Sequence, residues 1–131
     1  MKTQLQYFGY TTGYVNIGAL AGVAFPVNLS IAADSDFIAE KMLLSVSQGA
    51  VIVANWYGTI QIEDSAAGKT FFNQAVPGSD LLGNGGLPYV LSPARLISAN
   101  SSLTITFTQL QAVATLICLS LHGHKRRWVN E

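Results

Sequence analysis

Leu103-Thr104-Ile105-Thr106-Phe107-Thr108 alternates apolar and hydroxyl side chains, and Val113-Ala114-Thr115-Leu116-Ile117-Cys118-Leu119-Ser120-Leu121 is apolar almost throughout. The first run has the period of two that marks a strand with one buried face. Its threonines are β-branched and suit a pleated surface even where they meet water. The second run, after a short turn region at Gln109–Gln111, predicts a strand covered on both faces or nearly so. Two such strands cannot hide their apolar sides alone, so the upstream chain must supply a second layer.

Upstream, Phe25, Val27, Leu29 and Ile31 share one face of a strand over Ala24–Ile31, with Asn28 and Ser30 on the other; Pro26 places it at an edge or a strand start. Asp36–Val46 carries two periodicities. Phe37, Ala39, Met42, Leu43 and Val46 have near-helical spacing, whereas Ile38, Met42, Leu44 and Val46 fall largely on one strand face. The short, β-like neighbouring segments favour a strand. Ile60 and Ile62 point inward while Gln61 and Glu63 point out, and Asp64–Lys69 is a turn by composition. Asp80-Leu81-Leu82 suits a single 3₁₀ turn plugging the end of the core, and Gly83, Gly85 and Gly86 exclude a regular element after it. Asn100-Ser101 turns the chain into Leu103. Many short strands between turn residues predict an all-β, single-domain β-sandwich, with a jelly roll as its specific form. Residues 1–22 read as a less regular N-terminal arm, 23–124 as the sandwich and 125–131 as a basic C-terminal tail.

Half of the 131 residues are hydrophobic and only 11% are charged, against roughly 25% in soluble domains. The deficit predicts that part of the surface is covered in use, by further copies or by a partner. A formal net charge of zero supplies no field that would draw nucleic acid or an acidic membrane. No apolar run approaches the ~20 residues of a membrane-spanning helix. Val15–Phe25 starts late and is interrupted by Asn16 and Gly18, so no secretory signal is expected. Cys118, the single cysteine, excludes an internal disulfide and reads as a small buried hydrophobe.

No constellation carries chemistry. His122 and His124 share a strand face but have no cysteine nearby in sequence, so a half-exposed, hydrogen-bonded pair is expected rather than a metal site. No serine sits in a Gly-x-Ser-x-Gly elbow. Asp34, Asp36 and Glu40 lack the spacing of a calcium loop, and Glu63 and Asp64 point to opposite faces, unlike a glycosidase pair. Gly83-Asn84-Gly85-Gly86 lacks the Lys-Ser/Thr of a phosphate loop. No catalytic residue, metal or cofactor is therefore expected. Contact surfaces are the better candidates. Tyr7, Phe8, Tyr10 and Tyr14 either pack on the domain's own edge or reach onto a neighbouring subunit. Trp56-Tyr57 reads as an exposed loop. Arg126, Arg127 and Trp128, with Lys125, form a solvated tail or a clamp on an acidic patch; three charges give nucleic acid only a weak phosphate term.

The order of these motifs resembles the short virion proteins of tailed bacteriophages that decorate or cement the capsid shell. The resemblance covers about residues 24–123. It runs through Ala33-Asp34-Ser35-Asp36-Phe37, Thr59-Ile60-Gln61-Ile62-Glu63-Asp64, Gly68-Lys69, Asn73 to Val76, Leu81-Leu82-Gly83, Pro88 and Leu91-Ser92-Pro93-Ala94-Arg95-Leu96, then Ala99-Asn100-Ser101-Ser102-Leu103 and Leu119-Ser120-Leu121-His122-Gly123. It departs from the family pattern at Gln48–Tyr57 and at Lys125-Arg126-Arg127-Trp128. The resemblance implies an eight-stranded jelly roll or similar sandwich on the outer capsid surface, made in the host cytoplasm. Its partner would be the major capsid protein, and it would act as a homo-oligomer, dimer or trimer, without nucleic acid, membrane or catalysis. The rival expectation is a carbohydrate-binding or receptor-binding sandwich on a virion or cell surface, with Trp56 and Tyr57 stacking on sugar rings; fold alone does not separate the two.

Overall fold

The structure, a computed structural model, describes residues 2–49, 51–52, 56–65, 68–72, 74–77 and 89–129, with side chains at all of these except 2, 3, 52, 92 and 127–129. Their regular elements are strands: β1 Lys2–Thr11, β2 Val15–Gly18, β3 Ala24–Ser30, β4 Asp36–Gln48, β5 Val51–Ile52, β6 Gly58–Asp64, β7 Lys69–Thr70, β8 Val76–Pro77, β9 Tyr89–Ile97, β10 Ser102–Gln109 and β11 Thr115–Val129. No helix among the described residues is long and apolar enough to cross a membrane. The expected 3₁₀ turn at Asp80–Leu82 and the glycine run at Gly83–Gly86 lie outside the described residues.

Two antiparallel sheets pack together as a β-sandwich. In the larger, β1 and β2 lie on one side of β11, and β4 lies on the other, flanked in turn by β5 and β9; in the smaller, the order is β3–β10–β6, with β7 and β8 on the outer side of β6. The pairing is nested. The first strands pair the last, β3 pairs β10, β4 pairs β9, and β6 pairs the short strands that follow it.

The inward rows come from the expected alternation. Leu103, Ile105 and Phe107 are fully buried, as are Ile60 and Ile62 beside them. They share one core with Ile117, Leu119 and Leu121 of β11 and Met42, Leu44 and Val46 of β4. β11, however, is covered on one face rather than two. Leu116 is exposed, and Cys118 is only half-buried, its Sγ 3.2 Å from Thr11 Oγ1 on the outer face.

β4 is one strand, and its double periodicity has a local cause. The register against β11 shifts between Ala39 and Lys41, opposite His122 and Gly123. This bulge moves the buried positions from Phe37 and Ala39 to Met42, Leu44 and Val46, changing parity within one strand. Ile38 accordingly lies on the outer face, against expectation. Gly123 permits the close approach there, since a Cβ on it would stand 1.8 Å from the Ile38 carbonyl oxygen.

The predicted arm and tail are both strands. β1 pairs β11 in unbroken register from Lys2↔Val129 to Thr11↔Ser120. Phe8 and Tyr10 turn inward, and the Tyr10 ring meets Phe37 edge-on with centroids 4.9 Å apart. Lys125 bends back over the Phe8 ring, 4.0 Å from its centroid, and pairs with Asp34 at 3.7 Å. Arg126 Nη2 donates to Asp36 Oδ2 at 3.2 Å. Burial of those aromatics and neutralisation of those cations hold the two ends of the chain in the sheet.

Asn100 makes the expected turn with φ of 61°, a left-handed conformation that asparagine tolerates better than most residues. The Ala99 N–H before it donates to Asp36 Oδ1 at 2.9 Å. Gly123→Ala is expected to destabilise the fold by about 1–3 kcal/mol, the usual range for forcing atoms into a packed site, read as a lower urea midpoint. An unchanged midpoint would contradict the tight crossing at Ile38.

Candidate interaction surface at the Gln109 end

β10 continues its inward row past Phe107 to Gln109, a polar residue that is only 1% exposed. A buried amide must find partners or cost stability, and Gln109 finds four. Its Nε2 donates to the carbonyl oxygens of Val113 at 2.7 Å and Gly18 at 3.3 Å. Its Oε1 accepts from Trp56 Nε1 at 3.4 Å and from the Thr115 hydroxyl. One side chain therefore ties together the end of β2, the segment before β6 and the loop between β10 and β11. Backbone bonds close the same knot, from Gly22 N–H to Gln109 O at 2.6 Å and from Leu110 N–H to Tyr57 O at 2.9 Å.

Around this knot the chain turns large apolar side chains to solvent. Leu20 is 70% exposed, Tyr57 64% and Val23 52%, with Leu110 and Val113 also exposed. None of residues 19–23, 56–57 or 110–114 is charged. The ion pairs Asp34–Lys125 and Asp36–Arg126 and the contact of Glu40 with His124 Nδ1 involve the start of β4 and the later part of β11. Thr115↔Gln48 and Gln109↔Gly58 lie at the opposite ends of their ladders. Among the described residues the sandwich is thus polarised, with ion pairs towards one end and uncharged apolar loops at the other.

The residues expected to make contacts are divided by this arrangement. Trp56 is buried, not exposed: its ring meets Phe107 edge-on at 6.4 Å and lies over Gly58, where a Cβ would come within 2.3 Å of it. Trp56 therefore has no face free to stack on a sugar ring, while Tyr57 is exposed. Phe8 and Tyr10 pack on the core, and Tyr7 and Tyr14 lie on the outer face of the larger sheet. There Tyr7 Oη contacts His122 Nδ1 at 3.3 Å, and Tyr14 Oη contacts Ser45 Oγ at 2.8 Å. Arg126 is held by Asp36, and the side chains of Arg127 and Trp128 lie outside the described residues. Among the described residues, no group of three or more His, Cys, Asp or Glu side chains is placed to hold a metal ion.

A separate open cleft of about 430 Å³ is lined by Phe71, Phe72, Tyr89, Leu91 and Arg95 among others, with the Arg95 guanidinium 4.2 Å over the Phe71 ring. Comparison of the chain with protein-family models, curated proteins and solved structures finds no match.

The sequence did carry a signal for Gln109: it has the parity of Leu103, Ile105 and Phe107, so the alternation places an amide in the core. Gln109→Leu removes the acceptor of Trp56 Nε1 and the donor to the Gly18 carbonyl oxygen, while the Thr115 hydroxyl keeps the Val113 carbonyl oxygen at 2.8 Å. Leaving a group such as the indole N–H buried and unpaired costs about 1–3 kcal/mol. The variant is expected to unfold at clearly lower urea concentration, with faster amide exchange at Gly22 and Leu110 before global unfolding.

Proposed function

We propose that this chain is a structural virion protein: a jelly-roll subunit that decorates a bacteriophage capsid and stabilises it by bridging major capsid protein subunits. The nested pairing supports the jelly roll. Counting β1 with β2 and β7 with β8, and leaving aside the two-residue β5 at the end of β4, gives eight positions in chain order, which pair first with eighth, second with seventh, third with sixth and fourth with fifth. That is the pairing of one long hairpin rolled into two sheets, an architecture used by viral capsid and lectin domains.

The observation that carries the functional reading is the uncharged loop end fixed by Gln109. Exposed apolar side chains on preorganised loops lose little freedom on docking, and water gains by their burial. Tyr57 offers the large, rigid contact typical of interface anchors. Many copies on a repeating shell would multiply a modest interface. The resemblance of the motif order to that of capsid-decorating proteins points in the same direction.

The open cleft beside Phe71 and Tyr89 favours a second reading, a carbohydrate- or receptor-binding module, with aromatic rings rather than Trp56 as its platform. Truncating residues 1–22 would remove two strands, so point substitutions are the cleaner probe. The combined variant Leu20→Ser, Tyr57→Ser, Leu110→Ser should keep its urea midpoint and lose roughly tenfold or more in co-sedimentation with cognate capsids, as removal of interface anchors does. Undiminished capsid binding would refute this end as the contact surface. Glycan binding lost with Tyr89→Ala, in a protein indifferent to capsids, would favour the second reading.

A further inference from the structure

We infer that β1 is a dimerisation strand, pairing antiparallel with β1 of a second copy to continue the larger sheet across a twofold axis. The backbone geometry sets up the pairing. The Thr12 N–H donates to Leu119 O at 3.0 Å, and the register behind it stays constant to Lys2↔Val129. In an antiparallel ladder, hydrogen-bonded residues recur at every second position. Tyr10, Phe8, Gln6 and Gln4 therefore bond towards β11, and Thr3, Leu5, Tyr7, Gly9 and Thr11 direct N–H and C=O away from it. Among the described residues no strand lies on that side of β1.

Every other outer strand among the described residues is short or interrupted. β2 has four residues, and β5, β7 and β8 have two each. β3 carries Pro26 in its interior, and β9 carries Pro93 with Arg95. Short length, proline and charge are the means by which sheets avoid unwanted edge pairing. β1 has none of them: it runs for ten residues and has neither charge nor proline from Thr3 to Thr11. An edge left open in a molecule that blunts its other edges is an edge meant for pairing.

The occupant is a second copy because the strand complements itself. A strand with no charge from Thr3 to Thr11, on a chain of zero net charge, meets its own copy over that length without repulsion. The symmetric register centred on Tyr7 sets Leu5 against the partner's Gly9 and Thr3 against the partner's Thr11, using every outward-bonding residue of both strands. Leu5 and Tyr7, each 60% exposed, would cover one another on the outer face. Gly9 keeps that face low, since a Cβ there would stand 3.0 Å from His122 Nδ1. The pairing does not depend on what the Gln109 end binds, so either proposal can fail without the other.

The test is the mass of the intact chain by sedimentation equilibrium, together with residue-resolved amide exchange. The wild type should sediment at twice its 14.0 kDa, with slow exchange at Leu5, Tyr7 and Gly9. Leu5→Pro deletes one outward N–H, and Tyr7→Lys places a charge at the axis. Each should return a folded monomer by circular dichroism, with fast exchange at the remaining outward amides. If Leu5→Pro does not fold, Tyr7→Lys carries the test alone. A monomeric wild type, a trimer, a dimer that survives Tyr7→Lys, or unprotected Leu5, Tyr7 and Gly9 amides in a dimer would each overturn the inference.

Discussion

The ladder between β4 and β11 is the interaction on which the rest depends. It runs from Thr115↔Gln48 to Arg126↔Asp36, and β11 also receives β1 and β2 on its other side. No strand of the larger sheet closes without one of these two. Its inward row of Ile117, Leu119 and Leu121 against Val46, Leu44 and Met42 supplies one wall of the core, and β10 centres the other. Because the first strand pairs the last, the sheet forms only when the whole chain has been gathered. Such non-local pairing folds slowly relative to its stability. The aromatic contacts of Phe8 and Tyr10, the cation over Phe8 and the pairs at Asp34 and Asp36 fasten that late closure.

Two local departures from regular pairing make the ladder possible. The β4 bulge at Ala39–Lys41 lets a strand of thirteen residues keep its apolar side inward along its length, and Gly123 accepts the close backbone crossing this creates. At the other end, Gln109 replaces an apolar residue in the inward row. A leucine there would fill space but could not hold three loops at once. A fully partnered buried amide spends desolvation to gain a unique arrangement, and here the arrangement fixed is that of loops with no charge of their own.

Alternation made the sandwich legible from residues 24–31, 60–63 and 103–107, because a period of two reports burial directly. It failed where information is non-local. Nothing near Tyr7 states that residue 2 meets residue 129, so a glycine- and tyrosine-rich stretch looked irregular and Lys125–Trp128 looked like a tail. The bulge in β4 mixed two parities and imitated a helix. Trp56 and Tyr57 are adjacent and alike in sequence, yet the chain buries one and exposes the other because Gln109 and Gly58 supply a partner and a space for the indole alone. Of the candidate contact residues, Tyr7, Tyr14 and Tyr57 are exposed, while Leu20, Val23 and Leu110 give no signal in the sequence because isolated apolar residues in loops carry no pattern.

The scarcity of charge takes on a direction once the strands are placed. A uniformly undercharged surface would only make the protein sticky, whereas among the described residues Asp34, Asp36, Glu40, Lys125 and Arg126 gather towards the start of β4 and the later part of β11, and the loops around Gln109 carry no charge. Ion pairs in partial contact with water contribute little stability individually, so beyond helping to fasten the strand ends their segregation keeps that end of the sandwich wet. A subunit seated by its apolar loops on a larger protein surface would present its charged end to solvent. The β1 edge lies to the side of that axis, so lateral pairing and end-on seating do not compete for the same atoms.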